Sequence, residues 1–390
     1  SSAASDVYKR QPFAVFISLF FTIVAVVFPR SLYEEIMSEK DYMFFNLNVV
    51  SLVTLYTLIF YISYKIFPPI KLSTNLSKKN RNYSTLLLEF CLLYLFLSFI
   101  WLILFSYFLK QKFGLDIYSL FLIGYASIKY SESFIPGKLG GIPTLLAFSS
   151  IYLYHLYKNV EKKGSYLSLV FYLTITLVLI VNLITVNRNP LFIFILSILL
   201  INLYYDKSSL SKLILKYLKY FVVSIIIFSL TVAIRFATLD LSTLLMNILG
   251  YSISSVNRFA FMISYNINLE TPDYGDKLLN IAAWHETLSS YGFHPFYNLL
   301  TAYWVIFKNF GLLSFLFFIL LAIVSKQAYF YFKNGYDFAV IFYPFLYWSL
   351  SLMFITNIFS SNLIYVIYSI LFVYLSNNLF KILFYKKGSL

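Results

Sequence analysis

Apolar runs of about twenty residues recur along almost the whole chain, and that is the length a helix needs to cross a hydrocarbon layer about 30 Å thick. Ten such runs stand out, at 13–29, 45–66, 86–109, 141–157, 165–187, 190–206, 217–235, 311–333, 337–356 and 362–384. Lipid offers a backbone no hydrogen bonds, so a spanning segment must satisfy its own. These runs lack the period-two alternation of barrel strands. The chain therefore reads as all-α, a polytopic integral membrane protein with about ten transmembrane helices. Its composition excludes an ordinary soluble domain: 12% of the 390 residues are charged and 60% are hydrophobic, where roughly 25% charged residues are usual in water.

Charge sets the expected orientation. The formal net charge of +14 resides mostly in lysines, and lysines collect in the cytoplasmic loops of membrane proteins. That reading removes the need for a nucleic-acid partner. Segments 65–81, 157–163, 205–219 and 384–390 are Lys-rich and read as cytoplasmic, whereas 30–41 is acidic or balanced. The alternation places both termini inside. The single cysteine, Cys91, lies in an apolar run and excludes an intramolecular disulfide. Residues 1–11, SSAASDVYKRQ, match the in-frame translation of a common transposase sequencing adapter and are set aside as a cloning or assembly remnant.

The expected organisation is thus transmembrane helices over 12–235, a large external loop with short helices over 236–310, and further transmembrane helices over 311–390. Within the loop, 241–265 has the apolar content of an amphipathic helix lying in the membrane interface. Residues 114–140 read either as a re-entrant piece or as an ordinary loop with Gly and Pro turn signals. The abundant Tyr and Phe residues are expected to face lipid or the interface.

Arginine is the informative residue type. Beyond residue 11 there are five: Arg30, Arg81, Arg188, Arg235 and Arg258. Four of them fall on the external side or its boundary, against the positive-inside tendency. Arginine in apolar surroundings usually faces a cavity or a partner, and its planar fork of donors matches phosphate. Arg188 (TVNRNP), Arg235 (VAIRFA) and Arg258 (SSVNRF) therefore read either as snorkelling interfacial side chains or, taken together, as contacts to a shared anionic ligand. The loop adds His285 and Glu286 in AAWHETL and His294 in YGFHPFYN. These are suitable general bases for a hydroxyl nucleophile, with a plain surface role as the alternative. His155, at the end of a span, is expected to be inert. There is no P-loop, no Asp-x-Asp pair, no HExxH and no Cys/His cluster at metal spacing, so neither a metal nor another cofactor is expected.

The stretch 298–335, NLLTAYWVIFKNFGLLSFLFFILLAIVSKQAYFYFKNG, resembles the bacterial oligosaccharide repeat-unit polymerases, the O-antigen polymerase (Wzy) family. Asn298, Thr301, Asn309, Phe310 and Gly311 match that family's loop-exit pattern, with Ser314 in place of its usual second glycine and Asn309 in place of its usual Asp. The hairpin 185–200 is similar to the family's small-residue–Arg hairpin, with Arg188 at the matching position. The resemblance covers most of the chain in layout and these two stretches in motif.

It implies a glycosyltransferase in the bacterial inner membrane, with its active site on the external face. Its substrate would be an undecaprenyl-pyrophosphate-linked oligosaccharide in membrane lipid, and other polysaccharide-assembly proteins would be its partners. Arg188, Arg235 and Arg258 would bind the pyrophosphate, and His285, Glu286 or His294 would act as base or orient the acceptor. Trp284, Tyr291 and Asn298 would contact sugars. A related glycan ligase, a flippase for lipid-linked sugars and a non-catalytic assembly partner are the competing readings.

Overall fold

A computed structural model describes residues 13–37, 47–70, 82–117, 119, 137–161, 163–185, 188–205, 218, 222, 226, 229, 230, 232, 240–265, 286, 289–293, 300–356, 358–380 and 382. Every regular element among them is helical. In chain order they are α1 (Phe13–Val27), α2 (Arg30–Met37), α3 (Leu47–Ile66), α4 (Tyr83–Phe113), α5 (Gly137–Asn159), α6 (Ser165–Ile184) and α7 (Arg188–Tyr205). Then follow α8 (Leu241–Leu249), a π-turn (Gly250–Ser254), α9 (Ser255–Tyr265), α10 (Ala302–Phe310), a 3-10 turn (Gly311–Leu313), α11 (Ser314–Lys333), α12 (Asp337–Ser351) and α13 (Ile358–Phe380).

Five helical stretches are long and apolar enough to cross a membrane: Leu47–Ile66, Tyr83–Phe113, Ser165–Ile184, Ala302–Lys333 and Asn362–Phe380. They overlap five of the expected runs, although Ala302–Lys333 begins inside the stretch expected as the end of the external loop. Phe13–Val27 and Asn189–Leu203 are shorter apolar helices, and most of the run 217–235 lies outside the described residues. The spanning helices leave large apolar side chains uncovered: Phe96, Phe99 and Ile103 on α4, Leu316 and Leu320 on α11, and Leu371, Tyr374 and Leu375 on α13 are all exposed. Water-soluble monomers rarely expose contiguous apolar surface on that scale. Lipid is the solvent that such faces fit, so the chain is a membrane protein.

Two segments left open by the sequence are described in part. α4 ends at Gly114, which takes φ 65° and closes the helix with its amide donating to the Lys110 carbonyl. Most of 114–140, read as a re-entrant piece or a loop, lies outside the described residues; its last part, GKLGGIP, forms the start of α5, with Pro143 inside the helix. Within 241–265, read as an interfacial amphipathic helix, α8 keeps Ser242 and Leu245 exposed, whereas the stretch after it is covered. Residues 253–260 are buried one after another, all round the helix.

The described residues divide into two compact units. The first draws on 1–70, 240–330 and 346–363. In it α3 packs on α1, α9 packs on both, and α8 packs on α2. Its core is an aromatic stack in which the Tyr56 ring lies 4.2 Å from Phe318 and 6.2 Å from Tyr303. The Tyr303 hydroxyl donates to Ser18 at 2.9 Å. At the other end of α3, Lys326 donates to the Tyr64 carbonyl and Gln327 bonds both the amide and the carbonyl of Ile70. These bonds satisfy backbone groups that a helix end leaves open.

The second unit draws on 71–239, 331–345 and 364–390. α4 packs on α5 and α6, and α5 packs on α6 and α7. Here Asn182 donates to the Pro143 carbonyl at 3.0 Å, and Trp101 stacks on Phe105. His155 is buried, with the Asn159 amide 3.2 Å from its Nε2.

Candidate functional site

The site grows from the helical run 240–265. Asp240 opens it: its carboxylate accepts from the Ser242 hydroxyl and from the Thr243 amide, the capping arrangement that satisfies an otherwise open helix N–H. These bonds, the Ser242 hydroxyl first and then the Thr243 amide, hold the Asp240 carboxyl below the usual range. At Gly250–Ser254 the run widens into a π-turn, which inserts residues into the regular register and is frequent at functional sites. Beyond it α9 resumes regular spacing, so Asn257 and Arg258 lie one turn before Phe261, at its i−4 and i−3 positions.

Arg258 is wholly buried, at 0% exposure. Its guanidinium carbon sits 5.1 Å from the centroid of the Phe293 ring. An aromatic face attracts a cation by about 2 kcal/mol when both are desolvated, which offsets part of the penalty of burying the charge. Phe293 is brought there by a tight turn in which the Gly292 amide donates to the Ser289 carbonyl at 2.8 Å, with Gly292 at φ 76°. That positive φ is one that a side chain would resist.

Phe293 meets Phe261 edge-on at 5.2 Å, and Phe261 in turn contacts Tyr291 at 6.1 Å and Tyr265 at 4.8 Å. Tyr265 and Tyr291 are exposed, Phe261 is half-buried, and Phe293 is buried. A graded path of rings therefore leads from the surface to the buried guanidinium.

Two neutral polar groups lie in the same unit. Asn257 is buried at 5% exposure, and neither its Nδ2 nor its Oδ1 meets a hydrogen-bond partner among the described residues. On α10, Thr301 caps the helix by accepting from the Trp304 amide at 3.1 Å. The Trp304 ring contacts Phe259 at 6.0 Å, and its indole N–H is buried without a partner among the described residues. Buried donors and acceptors are nearly always matched in proteins, so each such group calls for a reason.

Of the residues singled out from sequence, Arg258 and Tyr291 come together here through Phe293 and Phe261. Glu286 is exposed. Arg188 is the first residue of α7, and its side chain lies outside the described residues. Arg235, Trp284, His285, His294 and Asn298 lie outside them as well. Sequence reading passed over Asn257, Phe261, Phe293 and Trp304. Asn257 stands beside Arg258 in VNRF, and its spacing from Ser254 and Phe261 was the one available signal.

In the loop-exit motif Gly311 takes φ 53° with ψ −128°, a backbone region essentially confined to glycine. Ser314, where the resemblance expects glycine, is wholly buried. Its hydroxyl donates to the Gly311 carbonyl at 2.6 Å and lies 2.7 Å from the Tyr56 hydroxyl.

Comparison with protein-family models, with curated proteins and with solved structures gives no match.

Proposed function

We propose that this membrane protein is a glycosyltransferase that joins polyprenyl-pyrophosphate-linked oligosaccharide repeat units into a surface polysaccharide. In this reading the chain crosses the bacterial inner membrane about ten times, with both termini cytoplasmic and residues 236–310 on the external face. One observation carries the proposal: Arg258 is completely buried against the ring of Phe293, and Phe293 connects through Phe261 to the exposed ring of Tyr291. A guanidinium offers only donors and keeps its charge, so it suits an anion. Rings graded from exposed to buried suit the apolar faces of sugars.

The chemistry follows from those two properties. A sugar hydroxyl on one lipid-linked unit attacks the anomeric carbon of another. The new C–O bond forms as the bond to pyrophosphate breaks, and the hydroxyl proton passes to a base. Pyrophosphate leaves readily, so the protein's main tasks are to stabilise its departing charge and to orient the acceptor. Arg258 performs the first task. Tyr291, and Tyr265 beside the same ring path, hold saccharide for the second. Glu286, exposed on the same loop, or His285 or His294 supplies the base.

The test is incubation of purified protein with a synthetic undecaprenyl-pyrophosphate oligosaccharide. The expected result is a ladder of longer glycans, lost in Arg258→Ala while the variant still melts cooperatively. Arg188→Ala probes the hairpin arginine separately. Transfer of a finished glycan to a different acceptor, with no ladder, would move the reading to a ligase. Transbilayer movement without any new glycosidic bond would move it to a flippase. A ladder that persists in Arg258→Ala would remove that residue from the site.

A further inference from the structure

We infer that Asn257 is a specificity-determining residue of the Arg258 site, reading a sugar hydroxyl next to the phosphate that Arg258 holds. This inference rests on the proposed function and deepens it.

The argument begins with position. Asn257 and Arg258 are adjacent in α9, one turn before Phe261. Both are deeply buried, and the Phe293 ring lies against the guanidinium. Neither end of the Asn257 amide meets a partner among the described residues. An amide left unmatched in an apolar interior opposes folding, and a leucine of similar size would fill the same space without that penalty. A polar side chain in this position is therefore suited to a partner that arrives with a ligand.

The chemistry of the amide then narrows the ligand. Arg258 offers donors only, so an anionic phosphate oxygen suits it equally well with or without a sugar attached. Asn257 has a donor at Nδ2 and an acceptor at Oδ1. An anion can accept from Nδ2, but nothing in a fully ionised phosphate can donate to Oδ1. The ligand that satisfies both residues carries an anionic oxygen and a hydroxyl close together, as a glycosyl phosphate does. Polyprenyl pyrophosphate without sugar lacks the second group. Asn257 thereby favours the glycosylated donor over the spent lipid carrier, which helps the product leave after transfer.

The experiment measures binding of two probes to purified full-length protein: a short-chain prenyl pyrophosphate, and the same lipid bearing one hexose on its pyrophosphate. The wild type is expected to bind the glycosylated probe about tenfold more tightly, the contribution of roughly one good hydrogen bond. Asn257→Leu is expected to bring that ratio close to one while its melting temperature stays level or rises. If Asn257→Leu fails to fold, Asn257→Ala is read by the same ratio. Equal binding of the two probes by the wild type, or a preference that survives the substitution, would overturn the role of Asn257 and leave the proposed function standing. Binding of neither probe by the wild type would remove the proposed function and this inference with it.

Discussion

The hydroxyls of Tyr56 and Ser314 lie 2.7 Å apart in the buried core of the first unit, joining α3 to the start of α11. Ser314 also donates to the Gly311 carbonyl at 2.6 Å, so one hydroxyl ties the motif's turn to the helix packed against it. Ser314→Ala is expected to destabilise the protein by about 1–2 kcal/mol, the range of hydrogen bonds inside membrane proteins and of buried hydroxyls left unmatched. A double-mutant cycle with Tyr56→Phe checks this by thermal unfolding in detergent. Additive losses would mean that the two hydroxyls are not coupled.

Gly311 supplies a backbone test free of packing effects. A Cβ there would meet nothing within 4 Å, yet φ is +53°. Gly311→Ala is therefore expected to cost about 1–3 kcal/mol through backbone strain alone. Unfolding midpoints compared with those of Gly164→Ala, a site with equally open space and no positive φ recorded, isolate that strain. Equal midpoints for the two variants would contradict it.

Helix approach in the second unit depends on a missing side chain. A Cβ at Gly141 would stand 3.0 Å from Cε1 of Tyr365, and nearby Ser369 donates to the Leu145 carbonyl across the same contact at 3.2 Å. Small residues let membrane helices come this close. Gly141→Val is expected to destabilise by about 1–3 kcal/mol through overpacking, and pairing it with Tyr365→Ala should recover part of the loss. A valine variant as stable as the wild type would show that the helices part without penalty.

Arg258→Lys separates charge from geometry at the proposed site. Lysine keeps the positive charge but loses the planar fork that grips two phosphate oxygens together. Under the proposed function, polymer formation should fall by about two orders of magnitude, as when one pre-organised donor to a developing anion is removed. The measurement is the rate of ladder formation at saturating substrate. Full activity in the lysine variant would show that charge alone suffices.

Asp240 gives the pH dependence. Its carboxyl is held below the ordinary value by the Ser242 hydroxyl and the Thr243 amide. The stabilisation is thus fully present above the unfolded aspartate value of about 3.9 and is lost as pH falls through the lower folded value. Amide exchange at the start of α8 should quicken over that acid window, relative to exchange in α4. Asp240→Asn, which still caps but does not titrate there, should abolish the pH step. A step that persists in the asparagine variant would assign it to another group.

The helical, membrane-embedded character was legible in the chain because both causes are local. A run of about twenty apolar residues is the right length whatever surrounds it, and a helix satisfies its backbone within itself. Arg258 and Tyr291 were legible by residue type and position in the loop. Ser314 looked like a simple departure from a glycine pattern, because its partner Tyr56 lies on a different helix, far away in sequence.

What the order of residues could not determine was which polar side chains of 241–265 would be dry. The segment carries enough apolar residues for an interfacial helix, and a local pattern does not say what will cover its Asn and Arg side chains. Burial depends instead on what covers the helix: α1 and α3 against α9, and Phe293 delivered over Arg258 by the turn at Gly292. Those contacts join parts of the chain with no sequence proximity. Their existence is a property of packing, and packing alone decided that an arginine and its neighbouring asparagine are buried.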